Sequence, residues 1–226
     1  MTKTNSRPRV WLSWSSGKDS SWALHVLRSQ DEVDVVGLLT TINQDASRVA
    51  MHAVRDQLLD LQAAAAGLPV FKVHIPSPCP NEVYEQAMSE AMTHAKAGGI
   101  DAMAFGDLFL EDVRRYRLER MADTGIDCLF PLWGIDTSEL ARTMVGSGLK
   151  AHVTCIDPKQ LDASFVGRTF DAQFLDDLPA GADPCGENGE FHTFAYEGPM
   201  FEQPIPVLPG EVVKRGGFVF ADLLPR

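Results

Sequence analysis

Short apolar runs alternate with longer amphipathic segments along the first two thirds of the chain. Residues 9–15 (RVWLSWS), 33–41 (VDVVGLLTT), 70–75 (VFKVHI), 101–106 (DAMAFG) and 150–157 (KAHVTCID) read as strands buried on both faces, and 127–133 (DCLFPLW) as a further one. Helical patterns fill the gaps at 20–29, 52–67, 80–99, 110–125 and 137–148. The second of these stops at Gly67, with Pro69 just beyond. In the third, Tyr84, Met88, Ala91, Met92 and Ala95 share one face, a stripe that reads as core packing.

Strand–helix alternation predicts an α/β fold: a doubly wound parallel sheet covered on both faces, with ligands beyond the carboxyl ends of its strands. After residue 158 the pattern changes. Residues 161–178 read as a helical pair around Gly167, and 179–217 are rich in Pro and Gly with short strand-like pieces. The expected division is a nucleotide-binding domain over 1–157 and a smaller C-terminal α+β substrate lobe over 158–226.

Charge narrows the partners. The chain of 226 residues carries 20 Lys and Arg against 31 Asp and Glu, a net charge of −11, which repels phosphate backbones and argues against a general nucleic-acid binder. No apolar stretch has the length of a bilayer span and the first ten residues lack a signal-peptide core, so no membrane is expected and a cytoplasmic protein is. Cys79, Cys128, Cys155 and Cys185 are widely spaced, as reduced, buried thiols are.

The chemistry concentrates in SSGKDS, residues 15–20, between the first strand and the first helix. Gly17 lets backbone approach a ligand, the helix start offers N–H groups to anions, Lys18 adds a charge, and Ser15, Ser16 and Ser20 add hydroxyls. Asp19 can cap the helix or hold Mg²⁺. A Walker A loop is excluded, because Leu12 and Asp19 stand where its first glycine and its hydroxyl belong.

The loop resembles the S-G-G-K-D-S signature of the PP-loop ATP pyrophosphatases, with Ser16 in place of the first glycine, an exchange tolerated at negative φ. AFGDLFLEDVRRYRLERM, PLW (131–133) and CGENGEFHTFAYEGPMF (185–201) extend the resemblance to the diphthine–ammonia ligase family, over about Trp11 to Phe201. It implies a Rossmann-like, HUP-type fold and amidation of a carboxylate by ammonia. ATP, with Mg²⁺, would give an acyl-adenylate, AMP and pyrophosphate. The eukaryotic ligases carry a carboxylate where this chain has His192, and the FHT form is similar to the microbial branch.

Roles follow from that resemblance and from residue chemistry. Lys18, Glu190 and His192 are the catalytic candidates. The phosphate-loop residues 15–20, with Gly106 and Asp107 after the fourth strand, bind nucleotide, and Asp19 and Asp107 hold the metal. Arg117 and Glu119 with Glu187, Asn188 and Thr193 contact the acceptor, where an arginine fork suits a carboxylate. His25, His52, His74, His94 and His152 read as structural, and Trp133 as core or pocket wall. The acceptor is a small-molecule or protein-borne carboxylate, ammonia is the nitrogen source, and a homodimer is allowed for. Two other readings stand beside the ligase. One is a nucleotide-binding regulatory protein, and the other is a tRNA-modifying PP-loop enzyme, which lacks its paired cysteines and basic surface here.

Overall fold

A computed structural model of the chain describes residues 7–44, 48–49 and 54–226. Its first sheet contains β1 (Arg9–Ser13), β2 (Asp34–Asn43), β3 (Arg48–Val49), β4 (Val70–Ile75), β5 (Ala102–Ala104) and β6 (Asp127–Leu129). Apart from β3, which pairs antiparallel with the end of β2, the strands are parallel in the order β4–β2–β1–β5–β6. The chain works outward from β1 in one direction and then resumes at β5 on the other side. That reversal opens a crevice beyond the carboxyl ends of β1 and β5.

Helices α1 (Lys18–Gln30), α2 (Asp56–Ala65), α3 (Asn81–Ala97) and α4 (Glu111–Met121) cover the two faces. Side chains alternate along β1. Val10 and Leu12, with Trp14 just beyond, join a core with Leu24 and Leu27 of α1 and Leu58 and Leu59 of α2. Trp11 packs with the opposite core, which holds Ala91, Met92 and Ala95 of α3 and Met121 of α4. A two-residue period thus sorts the helices into two layers, the doubly wound arrangement the alternation predicts. Helix α1 begins two residues before its expected start. The expected beginning of α2 at His52 lies outside the described residues.

The remaining chain builds a second sheet. After α5 (Thr137–Gly146) come β7 (Lys150–Ile156), a 3₁₀ turn at Ala163–Phe165, and α6 (Ala172–Asp177). Then follow β8 (Phe191–Glu197), β9 (Val207–Arg215) and β10 (Phe218–Pro225). The sheet is antiparallel in the order β8–β7–β10–β9. The expected helical pair is present in short form, each half started by an aspartate cap, Asp162 and Asp171.

One strand is placed differently from its expectation. Lys150–Ile156 was expected in the parallel sheet and lies in the antiparallel one. Its Ala151, Val153 and Cys155 are buried between layers, and an apolar run covered on both faces looks the same in either sheet. The β9–β10 hairpin gives definite form to the last of the strand-like pieces and extends beyond them to Pro225. Its signal is Gly216-Gly217, a two-residue turn with φ of 59° and 87°, the doubly positive geometry that hairpins favour.

Several contacts tie the second sheet to the first part of the chain. Ala195 N–H on β8 donates to Ser16 O at 3.0 Å. Asp222 on β10 receives Arg48 at 2.8 Å and Arg55 at 2.5 Å. Burial opposes the charge on Asp222, and the two guanidinium groups overcome it, holding the carboxyl down at about 2.

Candidate functional site

The segment after β1 is held from three sides. Trp14 N–H donates to Leu39 O at 2.8 Å, and Thr40 Oγ1 donates to Trp14 O at 2.8 Å. Gln62 of α2 is fully buried and fully used: it accepts from Trp14 Nε1 at 2.7 Å and donates to Ser16 O at 3.0 Å and Ala195 O at 2.6 Å. One amide therefore fastens the loop to a helix of the first layer and a strand of the second sheet.

Ser16 has φ of 66°, so the negative φ expected there is corrected. The backbone keeps the left-handed shape that suits the glycine of the PP-loop signature, and the Cβ of Ser16 is strained by it. Its Oγ is buried without a hydrogen-bond partner.

Gly17 is the N-cap of α1 and has no side chain to close the helix start. Thr193 does so from β8, its Oγ1 accepting from Lys18 N–H at 3.0 Å. The first intrahelical bond runs from Ser21 N to Gly17 O at 3.1 Å. Ser15 Oγ lies 3.2 Å from Ser20 Oγ and accepts from Gly17 N at 3.3 Å.

Lys18 is 2 % exposed. Its Nζ donates to both carboxylate oxygens of Asp19, at 3.0 and 2.8 Å, and to Cys185 O. The rings of Phe170 and Phe191 lie 5.6 and 5.3 Å from it. Burial works against the ammonium, but Asp19 and the neighbouring acidic groups outweigh it, so Lys18 is held charged.

These groups open on a cleft of about 240 Å³ lined by Ser15, Lys18, Asp19, Ser20, Gly106, Asp107, Arg117, Glu187, His192 and Thr193. It sits where the strand order reverses. Gly106 is needed for proximity: a Cβ there would lie 3.1 Å from Ser20 N and Asp19 C, in the first turn of α1. Asp107 accepts from Arg117 Nε at 3.3 Å, and the Arg117 guanidinium lies 4.8 Å from the Phe105 ring.

The roof is the glycine-rich loop at 183–190. Asp183 organises it, accepting from Cys185 N at 2.9 Å and Glu187 N at 3.2 Å, and from Thr137 Oγ1 at 2.6 Å. Gly186 has φ of 69°, and a Cβ there would sit 2.8 Å from Phe191 O. Glu187 Oε1 accepts from Leu108 N at 3.0 Å, which ties the roof to the loop after β5. Burial, then the charges of Asp19 and Asp107, push Glu187 up to about 7, against the Leu108 bond and Lys18. His192 is pushed down to about 4 by burial and by Lys18, so it is a neutral imidazole at physiological pH. The buried thiol of Cys185 is pushed far above its usual value, which makes it inert.

Several expected site residues are elsewhere. Glu190 is 2 % exposed and outside the cleft; its Oε1 accepts from Asp183 N at 2.8 Å and Asn188 Nδ2 at 3.2 Å, a brace for the roof. Asn188 is exposed and shares that brace. Glu119 is out in solvent, 3.9 Å from Arg115, because residues two apart on a helix lie about 200° apart around its axis. Ser16 and Gly17 are buried beneath the loop rather than lining the cleft. Arg114 lies over the half-buried Trp133, its guanidinium 4.7 Å from the ring. Gln62, Asp183, Phe170 and Phe191 were not singled out in the sequence. Only the Phe191 position, inside the GEFHT run, carried any signal.

Among the described residues no three His, Cys, Asp or Glu side chains are grouped to hold a metal ion unaided, and no helix is long and apolar enough to cross a membrane. Asp19 and Asp107 do line the same cleft.

Known proteins resemble this chain over most of its length. Residues 8–126 match the diphthamide synthase N-terminal domain and residues 136–220 the diphthamide synthase C-terminal domain. The human diphthine–ammonia ligase is 25% identical over 95% of this chain and 88% of its own length. The zebrafish (Danio rerio) diphthine–ammonia ligase is 29% identical over 76% of this chain and 73% of its own. A solved U34-tRNA thiolase from Methanococcus maripaludis overlays 57% of this chain and 53% of that one at 14% identity and a TM-score of 0.34, too loose a likeness to transfer anything.

Proposed function

Because the chain belongs to the diphthamide synthase family, we propose that it activates an acceptor carboxylate with ATP and passes it to ammonia, releasing AMP and pyrophosphate. The observation that carries this reading is the cleft itself. It brings a lysine-bearing loop, two aspartates, an arginine and a near-neutral glutamic acid together at the switch point of a parallel sheet. In this reading the loop at 15–20 takes the β and γ phosphates and Lys18 steadies the charge that grows on departing pyrophosphate. An acceptor carboxylate oxygen attacks the α-phosphorus as the bond to pyrophosphate breaks. Ammonia then attacks the carbonyl carbon, AMP leaves with the bonding pair, and one proton must be removed from nitrogen.

Glu187 is the group suited to that proton, since a carboxyl near 7 changes state easily at physiological pH. His192, at about 4, is too weak a base and serves as a neutral contact. Mg²⁺ fits the donor set: Asp19 and Asp107 are hard oxygen ligands on one cleft, and their joint charge already raises Glu187. They would hold the ion together with phosphate oxygens, and it would supply charge neutralisation. Arg117 would orient the acceptor carboxylate, and Thr193 acts through the helix start.

The reading divides the molecule near residue 135 instead of 157, since Lys150–Ile156 pairs with strands of the second sheet. The first part carries nucleotide, and the second roofs the cleft. Incubation with ATP, Mg²⁺, ammonium and a diphthine-bearing elongation factor should yield AMP and pyrophosphate in step with amide. ADP and phosphate as products would overturn the reaction class.

A further inference from the structure

Beside the nucleotide cleft, between α3 and α4, lies a larger hollow of about 480 Å³, within the range of roughly 300–1,000 Å³ of small-molecule pockets. Its floor is apolar, formed by Met88, Met92, Phe105 and Met121. Phe105 and Arg117 line both spaces, so the hollow and the cleft share a wall there. Three of the five residues in the Tyr84–Ala95 stripe are fully buried, Ala91, Met92 and Ala95; Tyr84 and Met88 pack against that core, are partly exposed, and line this hollow. Tyr84, which burial pushes above the usual phenol range, is near enough to Arg117 for the guanidinium charge to act against that shift. Asp107 takes Arg117 Nε at 3.3 Å, and Arg117 is the cationic group on the cleft side of a chamber whose lining also includes Glu82, Gln86, Ser89 and Thr124.

We propose that the α3–α4 hollow receives the acceptor, its apolar part on Met88, Met92 and Met121 and its carboxylate turned to Arg117, on the wall shared with the cleft. The arrangement puts the carboxylate of such a ligand beside the nucleotide and keeps its body away from the phosphate loop. It also explains why Arg117 is held by Asp107 through Nε alone: a guanidinium so fixed presents its remaining N–H groups as a fork. The Glu85–Arg120 pair, 2.8 Å apart at the rim, adds no net charge to the chamber. This inference rests on the ligase reading for its purpose, but the site is testable without it.

Indole-3-propionate serves as the probe and Ser89→Trp as the plug, since Ser89 lines the hollow and not the cleft. With the protein saturated by a non-hydrolysable ATP analogue, titration calorimetry should register binding of the probe. Ser89→Trp should weaken that binding at least tenfold while the affinity for the analogue stays within twofold. Arg117→Gln should weaken the probe similarly. The inference is overturned if the probe does not bind, if it binds Ser89→Trp equally well, or if the analogue displaces it, which would make the hollow an adenosine site. Turnover separates the two claims. AMP formation with diphthine-bearing elongation factor and an unchanged acceptor KM in Ser89→Trp removes the hollow and leaves the ligase. Probe binding with the stated pattern but no AMP from any carboxylate leaves the hollow and removes the ligase.

Discussion

Three side chains show how position overrides residue type. Ser16 holds a left-handed φ that costs an L-residue about 1–2 kcal/mol, partly offset by the backbone entropy a glycine would lose. Ser16→Gly should therefore raise stability by up to about 1 kcal/mol, or roughly 2–4 °C in Tm for a chain of this size; a fall in Tm would mean that the buried Oγ is needed. Glu187 has its folded pKa raised from 4.5 to about 7, so the native state binds more protons than the unfolded one between those values. Stability should fall as pH rises through that window and stay reduced above it, and Glu187→Gln, which keeps the Leu108 bond, should flatten the fall. Denaturant midpoints against pH for both proteins measure this. His192, already neutral, should add no inflection to the rate profile between about pH 5 and 8, and His192→Asn should alter KM without moving the profile.

At the scale of elements, the start of α1 is completed by other parts of the chain. Thr193→Val should remove the cap at Lys18 N–H at a cost of about 1 kcal/mol, with Thr193→Ser restoring it. Gln62→Leu should cost more, at least about 2 kcal/mol, because it strands a buried indole N–H and two carbonyls. It should weaken ATP binding as well, and a variant that binds ATP normally would show the loop to be held without it. These dependencies explain what could be read beforehand. The strand–loop–helix pattern around residues 15–20 is local, and so are Gly106-Asp107 after β5 and Glu187 in its glycine loop; Ser15, Lys18, Asp19 and Ser20 line the cleft with them. Gln62 was illegible because a glutamine in a helix reads as surface until three partners from distant segments converge on it. Glu119 was misplaced because a spacing of two in the sequence puts opposite sides of a helix together on paper.

Across the whole molecule, the second part of the chain roofs the cleft through the loop at 183–190 and anchors the phosphate loop through Thr193 and Ala195 of β8. Lys150–Ile156 could not be assigned to it from apolar content, since both sheets bury their middle strands. The Arg48–Asp222–Arg55 cluster is one strap between the sheets. With Asp222 held at about 2, below its usual value, its contribution is present above about pH 4 and lost as pH falls toward 2. Asp222→Asn should accordingly destabilise the protein at neutral pH and converge with the parent in acid.

The account stands on where the triphosphate goes. A crystal structure with Mg²⁺ and a non-hydrolysable ATP analogue should place the β and γ phosphates over residues 15–20, within hydrogen-bond reach of Lys18 Nζ, and the α-phosphorus facing Arg117. Nucleotide bound elsewhere, or phosphates that leave Lys18 on Asp19 and Cys185 O without contact, would contradict it.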